Sequence, residues 1–213
     1  MHIPDGYLTG QAAAAGAVAG AAGLAVCIRR ASAEGDERAL PVAGLTAAFC
    51  LALDAPFFPL SVGTDGHLLG GTLAVALLGP WLGGVTMAVV TVLQALVLGD
   101  GGITTLGVNV IDLALLPALL GYPLILALRK TVPLAAACGA AAFATVLAGA
   151  CCFVGWSNLG AWGAIDRETL AGTVLGTYAV VGLIEAVVTA LIVRSLLGIR
   201  PVMLRRVAKE TGP

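Results

Sequence analysis

Apolar residues run along this chain in long unbroken stretches, not in alternation. Seven such stretches can be marked, at roughly 8–28, 40–60, 68–79, 81–98, 108–128, 133–154 and 169–197. Several are long enough to cross a bilayer, which takes about 20 residues at helical rise. Backbone groups in lipid must be satisfied within their own segment, so these stretches predict helices. A β-barrel would need alternating polar and apolar positions, and AAAAGAVAGAAGLAVCI does not alternate. The third and fourth stretches are short and separated only by Gly79-Pro80. That pair reads either as a break between two spans or as a kink inside one.

Composition agrees: 59% of the 213 residues are apolar and 11% charged, and the mean hydropathy is +1.01. Soluble domains are about a quarter charged. The predicted fold is therefore all-α, a polytopic membrane bundle forming a single domain over 1–213. The start of the chain has no positive region before its first apolar run, so it does not read as a secretory signal. Eleven Lys and Arg and a net charge of −1 give no basic surface for nucleic acid. Five cysteines, at 27, 50, 138, 151 and 152, form no CxxC pair; they read as small packing residues.

Charge placement gives an orientation. Arg29, Arg30 and Arg38 follow the first stretch, Arg129 and Lys130 the fifth, and Arg194, Arg200, Arg205, Arg206 and Lys209 end or follow the seventh. Cytoplasmic loops collect Lys and Arg. With seven crossings and an external N-terminus, these ten lie inside and only Arg167 lies outside. Residues 198–213 then form a basic cytoplasmic tail. The protein's only histidines, His2 and His67, fall on the same outer face.

Met1 and His2 make a chelate by their order alone. The Met1 amine and the His2 amide nitrogen close one ring about a metal; that amide and His2 Nδ1 close a second. His67 could fill the fourth corner. Planar nitrogen ligation suits Ni(II) or Cu(II) more than Mg, Ca or tetrahedral Zn, and it weakens as acid returns protons to the ligands. Pro4 and Asp5-Gly6 would fold the tail, residues 1–8, back into the bundle. The bland alternative is a solvated terminal histidine and a locally bonded loop histidine. Asp54, Gln94, Asn109 and Asp112 share a level near the outer ends of their stretches. They read either as the wall of a polar cavity or as ties between helices. Glu185, near the middle of the last stretch, has no evident partner.

MHIPDGYL at residue one, GTDGHLLGG around His67 and LGDGGITTLGVN resemble the CbiM/NikM family, the substrate-capture (S) components of energy-coupling-factor (ECF) transporters for cobalt and nickel. The resemblance spans nearly the whole chain and includes the seven-helix layout. It implies metal ligation by the Met1 amine, the His2 amide and ring, and His67. Gln94 and Asn109 are candidates to support those ligands. Asp65 stands where a small polar residue is expected in relatives. The MHIPDG start leans toward nickel over cobalt.

The resemblance also implies a bacterial or archaeal cell membrane, no cofactor, and no enzymatic activity in this chain. Partners would supply the energy: a membrane coupling subunit (T component), ATP-binding-cassette ATPases and sometimes a small accessory membrane protein. The two lysines, Lys130 and Lys209, lie in no GxxxxGK[ST] loop. Ala- and Gly-rich stretches suit close helix packing, and a surface of that kind could slide against a partner. The main alternative is a self-sufficient secondary permease for transition metals, coupled through Asp54, Asp112 or Glu185. No repeat of halves supports it. An intramembrane hydrolase would have to pair Ser61 or Ser157 with a histidine, and neither HExxH nor GxSxG is present.

Overall fold

A computed structural model of the chain describes residues 1–36, 39–56, 58–60, 62, 64–160, 166–204 and 207. Arg38, Ser61, Arg205, Arg206 and Lys209 lie outside them. Among the described residues the regular structure is helical apart from one short antiparallel strand pair. In order come α1 (Gly10–Glu34), α2 (Leu40–Asp54), strands β1 (Phe58–Pro59) and β2 (Asp65–Gly66), α3 (Gly71–Leu93), α4 (Leu106–Val110), α5 (Tyr122–Leu128), α6 (Leu134–Gly160) and α7 (Arg167–Ile199). A π-helical turn at Gln94–Leu98 extends α3, and two more, Ile111–Leu115 and Pro117–Gly121, join α4 to α5. Among the described residues, five helical stretches are long and apolar enough, by length and composition, to cross a membrane: Gly10–Glu34, Gly71–Leu98, Leu106–Leu128, Leu134–Gly160 and Arg167–Ile199. With α2 as a shorter apolar helix, the protein is a multi-pass membrane bundle.

The break read at Gly79-Pro80 is real. Gly79 takes φ 78°, ψ 173°, a conformation open to glycine, and Pro80 cannot donate back to the preceding turn. The chain folds back there: a Cβ on Gly83 would lie 2.8 Å from Val75 Cα. A continuous helix would hold residues eight apart about 12 Å from one another. Residues 71–78 are therefore a separate short piece, whose first turn follows directly on His67.

Helix ends carry their own signals. The Thr9 hydroxyl caps α1 by accepting from Ala12 N–H, and Gly35 closes it in the left-handed region at φ 60°. Asp166 caps α7, accepting from Thr169 N–H at 2.8 Å. Both follow the usual preference for an oxygen-bearing residue at the start and glycine at the end.

Small residues set how closely the helices approach. A Cβ on Gly20 of α1 would overlap the Gly107 carbonyl of α4, and one on Gly107 would overlap the Ala17 backbone. Because α1 begins where the N-terminal tail stops, this crossing also fixes where the tail enters. The apolar core beneath the tail contains Met1, Ile3, Tyr7, Phe153, Val174 and Tyr178, all buried.

Candidate metal centre

The first three residues are buried inside the bundle, Met1 1%, His2 2% and Ile3 0% exposed. Burying a chain end strands its backbone polar groups unless each finds a partner; Thr64, the loop after the π-turn at Gln94–Leu98 and the start of α4 supply partners. Ile3 N–H donates to Asn109 Oδ1 at 2.8 Å. The Ile3 carbonyl accepts from Gly102 N–H at 2.9 Å, from Thr105 Oγ1 at 2.5 Å and from Asn109 Nδ2 at 3.1 Å. Thr64 Oγ1 donates to the His2 carbonyl at 2.8 Å. Beyond Ile3, Asp5-Gly6 occupy the middle of a turn closed by Tyr7 N–H on the Pro4 carbonyl at 3.3 Å. Gly6 takes φ 75° there, as the third position of a type II turn requires. Asp5 accepts from Thr104 N–H and hydroxyl at 2.7 and 2.5 Å, bonds that hold its carboxyl below the ordinary range.

Pinned this way, the tail brings both histidines and the chain terminus together. The Met1 amine donates to His67 Nε2 at 2.7 Å, and His67 Nε2 stands 3.1 Å from His2 Nδ1. The two imidazoles stack with planes 15° apart and centroids 4.9 Å apart. Bonds of about 2.0 Å, the length imidazole makes to zinc, would put adjacent corners of a square about 2.8 Å apart. The observed separations match two adjacent edges of such a square.

The outward-facing ring nitrogen fixes the tautomer of His67. His67 Nδ1–H donates to the Leu68 carbonyl at 2.6 Å, which leaves the Nε2 lone pair facing the amine. His2 Nε2–H donates to Gln94 Oε1 at 3.2 Å, which leaves Nδ1 facing inward. Gln94 Nε2 in turn donates to Asp54 Oδ2 at 2.7 Å. The other Asp54 oxygen sits 3.7 Å from His67 Nδ1. One buried carboxylate thus stands behind both rings, the arrangement that orients metal-binding imidazoles.

Two more carboxylates flank the nitrogens. Asp100 Oδ1 lies 3.0 Å from His2 Nδ1 and Asp65 Oδ1 lies 3.6 Å from the Met1 amine. One donor atom from each of His2, Asp65, His67 and Asp100 falls within 4.8 Å of the rest. The site opens on a cavity of about 370 Å³, with His2, Asp65 and Asp100 among its lining residues.

Burial drives the Met1 amine below its ordinary value of 8.0, although the charges of Asp65, Asp100 and Asp54 pull the other way. Burial also holds the His67 imidazole well below its usual range, with help from the nearby amine and His2. Burial works against the Asp100 carboxylate too, but its contact with His2 and the neighbouring positive groups bring it down to about 2. Lowered proton affinity on the amine and on His67, beside a carboxylate held anionic at Asp100, favours a divalent cation over protons.

Most of the residues singled out from the sequence meet here: Met1, His2, His67, Asp54, Asp65, Gln94 and Asn109. Asp112 does not. It lies further along the helix beside the Trp156 indole, neither of its oxygens meets a donor in hydrogen-bond geometry, and it lines an inner cavity of about 10 Å³ with Thr72, Thr145 and Glu185. Asp100, Thr64 and Thr105 were not singled out, though LGDGGITTLGVN contains two of them. Ser157 donates to the Phe153 carbonyl at 2.8 Å, with no histidine beside it.

The sequence matches the family described as cobalt uptake substrate-specific transmembrane region over residues 2–203. The chain belongs to the CbiM family. Among similar proteins, one of Haloquadratum walsbyi, named for metal transport, is 36% identical over 202 residues, covering 94% of this chain and 92% of its own. A protein of Archaeoglobus fulgidus, named as a fused nickel transport protein, is also 36% identical, over 94% of this chain and 67% of its own. Two solved structures, each titled as a transition metal transporter, superpose on this CbiM-family chain with TM-scores of 0.88 and 0.89. Their identities are 26% and 25%; they cover 93% and 100% of this chain, and 99% and 100% of their own chains are matched.

Proposed function

We propose that this membrane protein captures Ni(II) or Co(II) from outside the cell in a planar four-nitrogen site. The corners are the Met1 amine, the His2 amide nitrogen, His2 Nδ1 and His67 Nε2. The observation that carries this reading is the meeting of the amine, His67 Nε2 and His2 Nδ1 at 2.7 and 3.1 Å. In this scheme the incoming ion displaces the amine and amide protons, Gln94 and Leu68 hold the rings in the ligating tautomer, and Asp65 and Asp100 offset its charge. The planar geometry and the MHIPDG start favour nickel as substrate.

On this reading the chain is the capture subunit of an ATP-driven energy-coupling-factor importer, with N-terminus outside, C-terminus inside and seven crossings. A membrane coupling subunit and ATP-binding-cassette ATPases provide the power stroke. The sequence supports this because it holds no phosphate-binding loop of its own.

The test is metal content and isothermal titration of untagged protein, beside His67→Ala and a version with one residue added before Met1. One tightly bound nickel in the native protein, weakened in both variants, is the expected result. Equal affinity in the extended variant overturns the chelate. Uptake by vesicles that contain this chain and no ATPase would overturn the importer assignment in favour of a secondary permease.

A further inference from the structure

Three of the four proposed nitrogens belong to one dipeptide, so covalent geometry fixes their spacing. Only His67 is placed by tertiary structure. The last helix grips its backbone from both sides, beside the β1–β2 pairing. Glu185, 3% exposed, accepts from Leu69 N–H with one oxygen at 2.8 Å and from Gly70 N–H with the other at 2.9 Å. Those amides lie two and three residues after His67, at the entry to α3. They are free N–H groups of a helix start, where a carboxylate is favoured by both hydrogen bonding and the helix dipole.

Tyr178, 0% exposed, makes the second tie. Its hydroxyl donates to the Asp65 carbonyl at 2.9 Å, two residues before His67. Tyr178 and Glu185 are seven apart on α7, two turns along one face and about 10.5 Å apart on the axis. The opposite face of the same helix is apolar and exposed, with Val180, Leu183, Ile184, Val187 and Leu191 outward. A single helix that borders the lipid therefore grips the ligand loop before and after its histidine.

We infer that Glu185 and Tyr178 are positioning residues for the fourth nitrogen, holding His67 at the open corner of the Met1–His2 chelate and tying that corner to α7. This inference rests on the planar-nitrogen reading above.

The test uses full-length protein with its native N-terminus, titrated with Ni(II) and followed by the visible absorption band of planar nickel, by affinity and by thermal unfolding. Glu185→Gln keeps shape but turns one acceptor into a donor facing an N–H. Tyr178→Phe removes one hydroxyl. In both, the band is expected to move toward that of His67→Ala, with affinity reduced about tenfold or more in Glu185→Gln, as for lost outer partners of metal ligands. A lowered unfolding temperature with unchanged band and affinity overturns the inference, since a purely structural role moves only the first. If Glu185→Gln cannot be purified, Tyr178→Phe decides alone, and a wild-type band there overturns it. Wild-type protein that shows no planar band refutes the metal site itself, a failure that the variants play no part in.

Discussion

Ile3 is the residue on which the ligand geometry turns, although it ligates nothing. Its peptide groups meet Asn109 on both sides, and its carbonyl also takes Gly102 and Thr105. Asn109→Ala removes two of these bonds, and nickel affinity measured by titration is expected to fall about 10- to 100-fold, the range found when supporting partners are lost. Gly101 sits at φ +90°, and a Cβ there would come within 3.0 Å of His2 Cδ2 and 3.1 Å of Asn109 Nδ2. Gly101→Ala should therefore cost about 1–3 kcal/mol in strain; relieved by displacing the His2 ring, that reads as about a 5- to 150-fold loss of nickel affinity.

Acidity acts at the same scale. The Met1 amine lies below 8.0 in the fold because burial disfavours its charge. Competition from the amine proton then begins only below that pH, the His2 amide proton competes throughout, and affinity declines as acid is added. When Asn109→Ala loosens the tail, the amine returns toward its ordinary value and the decline begins at higher pH. Titrations across pH 6 to 9, an interval of roughly one unit or more either side of the terminal-amine range, check both the sign and the displacement.

Among the elements, the crossing of α1 on α4 carries the tail. Gly107→Ala would drive a methyl into the Ala17 backbone; such overpacking typically costs about 1–3 kcal/mol. In a protein of this size each kcal/mol lowers the unfolding temperature by about 2–4 °C, so a fall of roughly 2–12 °C is expected in detergent, with weaker nickel binding alongside. Helical segments, their caps at Thr9 and Asp166 and the break at Gly79 follow from local rules of hydrogen bonding and proline geometry. The sequence accordingly shows the segments and offers the break as one of two readings, with segment ends displaced by as much as six residues, as where the stretch 40–60 ends as a helix at Asp54. The π-helical turns at Gln94–Leu98 and within Leu106–Leu128 have no such local signature, and were not legible.

For the whole molecule, the exposed small face of α1 is the natural surface for a membrane partner under the proposed function. Ala14, Ala21 and Ala25 are exposed there. Changing all three to Leu is expected to abolish co-purification with the coupling subunit while leaving nickel affinity unchanged; intact assembly would speak against that surface. Ligand binding should also stabilise the fold. Nickel at 100 times its dissociation constant adds about 2.7 kcal/mol, or roughly 5–11 °C in unfolding temperature, and His67→Ala should lose most of that shift.

What the sequence by itself determined was whatever depends on neighbours along the chain. Long apolar runs dictate membrane helices because lipid satisfies no backbone group. The order Met1-His2 dictates a chelating arrangement because its rings close through consecutive atoms. The level of Asp54, Gln94 and Asn109 was visible from their places at the ends of apolar runs, and Gln94 does face His2 while Asn109 faces Ile3. Only the tertiary structure decided how distant parts meet. Asp100 reaches His2 across 98 positions, and Glu185 holds backbone amides 115 and 116 positions away. Backbone amides look alike at every residue, so no pattern in the sequence could name them as partners. That assignment exists only once the helices have packed, and packing is set by how closely small residues such as Gly20 and Gly107 let them approach.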